Sequence, residues 1–206
     1  LGERVEAVAR LLIMEPIDLI VVGATGSGHT ERVGSVATGL LRQAATHVLV
    51  VPLSAAIRPL KQVVLATDYS SVNDAQSLVL LTDLVSRKAA ALTLLTIDDP
   101  KHPERQASTA LRQYVQRALE GVQTTLYASH DRDVRQGIKA YLDVHPQVDM
   151  LVLLPHHKGL FELLRKQSVS RSMAYHPTVP LLALYDDRPI SANDPDLDAM
   201  PFASFQ

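Results

Sequence analysis

With 206 residues, 47% of them hydrophobic and 20% charged, the chain is long enough for one large domain or two small ones and can bury a core. A net charge of −2 argues against a dedicated nucleic-acid binder, and the lack of cysteine excludes a disulfide framework, a cysteine nucleophile and thiolate metal sites. No apolar run reaches the ~18 residues of a membrane span, and the opening LGERVEAVAR is a charged helical pattern unlike a signal peptide. These features fit a soluble cytoplasmic protein with neither nucleic acid nor membrane as a partner. The chain opens on Leu1, so its natural start is expected upstream.

In chain order, the opening helical pattern leads to a strand at Asp18–Val22, a helix at Val36–Gln43 and a strand at His47–Val51. Residues 53–60, bracketed by Pro52 and Pro59, read as a linker. Gln62–Thr67 is a β-branched strand, followed by a helix over Asn73–Arg87 with Leu78, Leu81, Leu84 and Val85 on one face. Ala91–Ile97 reads as a strand, and Arg105–Leu119 as a helix with Leu111, Tyr114, Val115 and Leu119 inward. Then come a strand at Gln123–Ala128, a helix at Val134–Val144, a strand at Met150–Leu154, a helix at Ser168–Tyr175 and a strand at Pro180–Leu184. Strands alternating with helices imply crossover connections and an α/β fold: a five-stranded parallel sheet covered by helices on both faces. Asp187–Gln206 is polar and proline-broken, which suits a mobile tail.

The chain resembles itself. Ile17-Asp18-Leu19-Ile20-Val21-Val22 matches Val148-Asp149-Met150-Leu151-Val152-Leu153, 131 positions on. Arg4, Ala9 and Leu11 fall on Arg135, Ala140 and Leu142 at the same offset. Ser35-Val36 pairs with Ser168-Val169, and His47–Val51 with Pro180–Leu184, at an offset of 133. Helix, strand, loop, helix and strand thus recur in order, which reads as a duplication. The section from Lys61 to His130 has no counterpart before Leu1, so the first copy is expected to lack its front half. The expected organisation is residues 1–52 as the closing half of one domain, 53–60 as linker, 61–186 as a complete second domain and 187–206 as tail.

The strongest chemical signal follows the first strand: Gly23-Ala24-Thr25-Gly26-Ser27-Gly28-His29-Thr30-Glu31-Arg32-Val33-Gly34-Ser35, then a helix. A glycine-rich loop from a strand end to a helix N-terminus lets several N–H groups converge on an anion, helped by the helix dipole. Ser35 is suited to cap that helix and to meet a phosphate. The loop is not a Walker A motif, since no Gly-Lys-Ser/Thr follows, and it lacks the G-x-G-x-x-G spacing of a dinucleotide site. A purely geometric strand-to-helix turn is the alternative.

GATGSG…GS followed by VATGLLRQAATHVLVVP resembles the closing half of a universal stress protein (UspA) domain. In that family G-x2-G-x9-G-[S/T] holds the phosphates of ATP. The resemblance therefore implies cofactor-binding roles for Gly23, Gly26, Gly34 and Ser35, with an adenine nucleotide, ATP or AMP, as ligand. Seven residues separate Gly26 from Gly34 here, against nine in the family. Residues 61–186 resemble the same family throughout, with Asp68 at the end of the first strand, as a ligand contact or a helix cap. There Leu154, His157 and Gln167 stand where the motif has glycines, before Ser168, so this copy is expected not to bind nucleotide.

The tandem His156-His157 lacks a partner at ligand spacing, so no metal site is expected. His29 is expected to face water, and Lys158, Arg165, Lys166 and Arg171 read as a solvated basic face. No G-x-S-x-G elbow or general-base constellation points to an enzyme. The expectation is ligand-dependent signalling or stress adaptation with little turnover, slow ATPase or nucleotidyl-transfer activity being an outer possibility. The rival is an interaction module that binds no nucleotide. Val48–Val51 and Leu181–Leu184, apolar and edge-like, are the candidates for pairing between copies within the chain or in a homo-oligomer.

Overall fold

The computed structural model of the protein describes residues 2–24, 35–43, 46–69, 72, 75–101, 107–154 and 179–185. Among these residues seven strands form one sheet: β1 (Leu19–Gly23), β2 (His47–Val51), β3 (Gln62–Ala66), β4 (Ala91–Asp98), β5 (Thr124–His130), β6 (Met150–Leu153) and β7 (Leu181–Ala183). Their spatial order is β1-β2-β7-β6-β3-β4-β5. The helices are α1 (Gly2–Met14), α2 (Ser35–Gln43), α3 (Val79–Lys88), α4 (Thr109–Ala118) and α5 (Val134–Val144), with a 3₁₀ turn at Ala75–Leu78.

Residues 62–183 supply the expected five-stranded parallel sheet, with β3 at its centre between β6 and β4. The sheet does not stop there. β7 pairs antiparallel with β2, Val48 opposite Ala183 and Val50 opposite Leu181, and β2 continues in parallel to β1. The two apolar strands that looked like free edges in the sequence cover each other, so the sheet is mixed rather than wholly parallel.

Alternation along the strands sorts side chains into two cores. On one face, Val63, Leu65, Leu92, Leu94, Met150, Val152 and Leu182 meet Leu81 and Val85 of α3 and Val115 of α4. On the other, Val48, Val50, Val64, Leu95, Leu151, Leu153 and Leu181 meet Val5 of α1, Ala37 and Leu40 of α2, and Ile138 and Tyr141 of α5. β6 is buried at every residue, which explains its unbroken apolar run. β5 is terminal and mostly exposed, and its Tyr127 leans edge-on against Tyr141, itself stacked on His145 at 4.0 Å.

Element ends follow from local chemistry. The helix expected over 73–87 opens as a 3₁₀ turn at Ala75 and becomes α-helical only at Val79, whose preceding residue, Leu78, has no side-chain oxygen to cap it. It closes at Ala89 in the left-handed region (φ 47°), where N–H groups of Ala89 and Ala90 reach Ser86 and Val85 carbonyls. The helix expected from Arg105 starts at Thr109, because Ser108 Oγ accepts the Leu111 N–H at 3.3 Å. The strand expected to end at Ala128 runs on to His130, which stays in register with Asp98 of β4. The expected helix at 168–175 and the tail at 187–206 lie outside the described residues.

The segment between β2 and β3, expected as a linker, is tied down at the amino end of the parallel sheet. Asp149 accepts N–H groups of Lys61 at 2.7 Å and Gln62 at 2.8 Å and pairs with Arg58. Arg58 also donates to the carbonyls of Pro146 and Val148 at 3.2 and 3.0 Å. Burial disfavours the charged carboxyl, but those N–H groups and the guanidinium outweigh it and hold Asp149 below the usual carboxylate range.

Candidate phosphate site at the end of the first strand

The glycine loop leaves the sheet where the sequence placed it. Gly23 is the last residue of β1, exposed and opposite Val51, and the Ala24 N–H donates to the Val51 carbonyl at 2.8 Å. β1 and β2 are thus held together to the point of departure. Ala24 turns inward and is 3% exposed. The chain returns in α2, which begins at Ser35, one residue before the expected Val36 and so with Ser35 inside the first turn. Ala37, Leu40 and Leu41 are buried against α1 and the sheet, and a Cβ on Gly39 would lie 2.7 Å from Val5 Cγ2. That close approach fixes the helix and therefore its N-terminus.

A parallel strand, small residues at its carboxyl end and a docked helix N-terminus together can hold an anion. The described part fits the phosphates of a nucleotide: backbone is exposed at Gly23, where no side chain intervenes. Gly26, Gly34 and His29 lie outside the described residues, as do His156, His157, Gln167, Ser168 and the basic residues Lys158, Arg165, Lys166 and Arg171. Among the described residues, no group of three or more His, Cys, Asp or Glu is placed to hold a metal ion. Nor, among them, is any helix long and apolar enough to cross a membrane.

At the end of β3 the structure adds a residue that sequence reasoning passed over. Asp68 is exposed, as a ligand contact requires. Tyr69, next to it, has φ 61° and a ring only 2% exposed. Thr67 Oγ1 accepts the Tyr69 N–H at 2.8 Å, and the Arg112 guanidinium lies over the ring, 5.3 Å from its centroid. A left-handed tyrosine costs roughly 1–3 kcal/mol and persists here because its ring is packed into the core. Nothing in the residue type signals it.

Where β2 meets the end of β7, His47 Nδ1 accepts the Tyr185 N–H at 2.8 Å. Burial lowers the His47 pKa below its ordinary value, and Asp18 partly opposes that shift.

The architecture is that of an α/β protein with a mostly parallel sheet between helices. Residues 2–52 match the sequence profile of the universal stress protein family. No curated protein matches the chain. Among solved structures the fold is similar to a universal stress protein from Archaeoglobus fulgidus, with TM-score 0.64 and 17% identity over 89% of this chain and 66% of that one. It is also similar to a functionally unknown protein from Pseudomonas aeruginosa, with TM-score 0.56 and 13% identity over 87% of this chain and 67% of that one. The chain thus spans about two thirds of the length of these structures. The profile match is confined to residues 2–52, and the structural likeness shows a shared fold.

Proposed function

We propose that the protein is a tandem universal stress protein in which residues 1–52 belong to a nucleotide-binding copy and residues 61–186 to a degenerate one. In this reading Gly23, Gly26 and Gly34 bring backbone N–H groups to the phosphates of ATP or AMP, and Ser35 contributes its hydroxyl and the first turn of α2. Bound nucleotide supplies a signal rather than a reaction, and the protein acts in stress adaptation with little or no turnover. The observation that carries the reading is the path of the chain. An exposed Gly23 ends a parallel strand, and the glycine loop leads from it to the N-terminus of a docked helix, all within the segment that matches the family. The reading is of binding rather than hydrolysis, because no sequence motif sets His29 or Glu31 of this loop in a general-base or metal constellation.

The test is to denature freshly purified protein and identify released nucleotide with its stoichiometry. Binding in the first copy gives about one adenine nucleotide per chain; Gly26→Val abolishes it and His157→Val leaves it unchanged. Equal loss in both variants with the fold intact rejects the asymmetric assignment. A protein that releases no nucleotide and takes none up at millimolar ATP is an interaction module, the reading favoured by the seven-residue Gly26–Gly34 spacer.

A further inference from the structure

Two side chains close the end of the sheet at which β1 and β2 begin and β7 leaves. The β2–β7 ladder pairs Val50 with Leu181 and Val48 with Ala183, and the chain of β7 runs on past it. The Leu184 N–H turns to β6 and donates to the Leu153 carbonyl at 2.9 Å. By alternation the Tyr185 N–H turns back toward β2, where an unbroken ladder would offer a backbone carbonyl. It meets the His47 ring instead, donating to Nδ1 at 2.8 Å. On the other flank Thr46 Oγ1 donates to the Ile17 carbonyl at 2.7 Å, just before β1. Thr46 and His47 thus tie the start of β2 to both of its neighbours.

The tie to β7 depends on the charge of the ring. Nδ1 accepts only while it carries no proton, so the neutral ring holds its hydrogen on Nε2. A second proton lands on Nδ1 and sets two N–H donors against each other across the contact. His47 is half-buried, and burial lowers its pKa below the ordinary value. The charge of Asp18, exposed just before β1, opposes that shift and favours the imidazolium. His47 shares a sheet face with Leu49, Leu182 and Leu184, which α3 and α4 cover with apolar Leu81, Val85 and Val115. Asp186 and Asp187 follow Tyr185 in the sequence and lie outside the described residues.

We propose that His47 is a proton-operated latch at this end of the β2–β7 seam: the neutral ring holds the Tyr185 backbone to β2, and the protonated ring releases it and turns to the Asp18 carboxylate. The latch is closed above the ordinary imidazole value of 6.5 and opens as pH falls through the lower folded-state value. Opening leaves the seam with only the pairs from Val48 to Val50, which loosens β1 and β2 from the other strands while both parts stay folded. The inference is independent of nucleotide binding.

Amide hydrogen exchange, corrected for its intrinsic pH dependence, tests the latch residue by residue. Between about pH 7 and pH 5 the protection of the Tyr185 amide falls by about tenfold or more, while that of Leu181, deeper in the seam, changes less. The fall shares its midpoint with the titration of the His47 ring followed by NMR, and above that midpoint the ring nitrogen shifts place the proton on Nε2. In His47→Asn, which keeps an acceptor oxygen and does not titrate, Tyr185 protection no longer depends on pH. Asp18→Asn moves the wild-type midpoint to lower pH. Tyr185 protection that is flat with pH in the wild type, that falls equally in His47→Asn, or that falls at a pH where the ring does not titrate overturns the proposal. So does an equal fall at Leu181, since His47 then contributes to overall stability and latches nothing.

Discussion

Removing the Asp149 carboxylate tests how the linker is held to the sheet. In Asp149→Ala the Gln62 N–H, half-buried at the start of β3, is left without its acceptor, at about 1–3 kcal/mol. The Lys61 N–H is solvent-exposed and recovers most of its loss from water. Arg58, whose side chain is 41% exposed, keeps the Pro146 and Val148 carbonyls, so its lost ion pair adds about 0–1 kcal/mol. The total is about 1–4 kcal/mol, read as a lower urea midpoint with an unchanged m-value. Asp149→Asn retains one acceptor oxygen but sets an NH₂ against a donor, and falls between wild type and alanine. The folded-state pKa of Asp149 is depressed, so its contribution is present above the unfolded value of about 3.8 and is lost as pH falls below it through the folded value. The gap between wild type and Asp149→Ala therefore narrows between about pH 5 and pH 3. A cost under about 0.5 kcal/mol, or a gap that does not change with pH, refutes the clamp.

His47 is half-buried with Nδ1 as an acceptor, so its depressed pKa gives stability that is full above about 6.5 and lost as pH falls through the folded value. His47→Asn, which keeps an acceptor oxygen but does not titrate, should flatten the wild-type loss of stability between about pH 7 and pH 5 in chemical denaturation. Gly39→Ala gains about 1 kcal/mol of helix propensity but drives a methyl to within 2.7 Å of Val5 Cγ2, an overpacking of about 1–3 kcal/mol. The net effect is a small loss of thermal stability, and a double-mutant cycle with Val5→Ala should show favourable coupling. In nucleotide release, Gly26→Val and His157→Val should differ as set out above.

The strands and helices were legible because each carries its own period: QVVLA and ALTLLTI are buried runs, and α5 repeats its apolar face every three to four residues. The two strands that join β1–β2 to the rest of the sheet were also legible as apolar segments needing cover. Their direction was not, because local pattern is the same for parallel and antiparallel partners. Asp149 appeared in the sequence only as the twin of Asp18. Its partners lie 87 to 91 positions away, beyond the reach of any spacing rule. Tyr69 was hidden for a different reason, since its left-handed backbone is set by tertiary packing against a residue type that normally avoids it. In the candidate site, the strand, the exposed Gly23 and the helix start agree with the sequence to within one residue.

The one antiparallel pair among the described residues, β2 with β7, sets how the two rims of the sheet can influence each other. Strand direction reverses there, so the carboxyl ends of β1 and β2 emerge from one rim of the sheet and those of β3, β4, β5, β6 and β7 from the opposite rim. A small molecule seated beyond Gly23 cannot also touch the groups beyond Asp68 or Leu153. Any influence of one rim on the other has to pass through the sheet, across the few hydrogen bonds between Val48–Val50 and Leu181–Ala183 and the packing on either side. That seam, rather than a shared cleft, is where coupling between the two ends would be strengthened or cut.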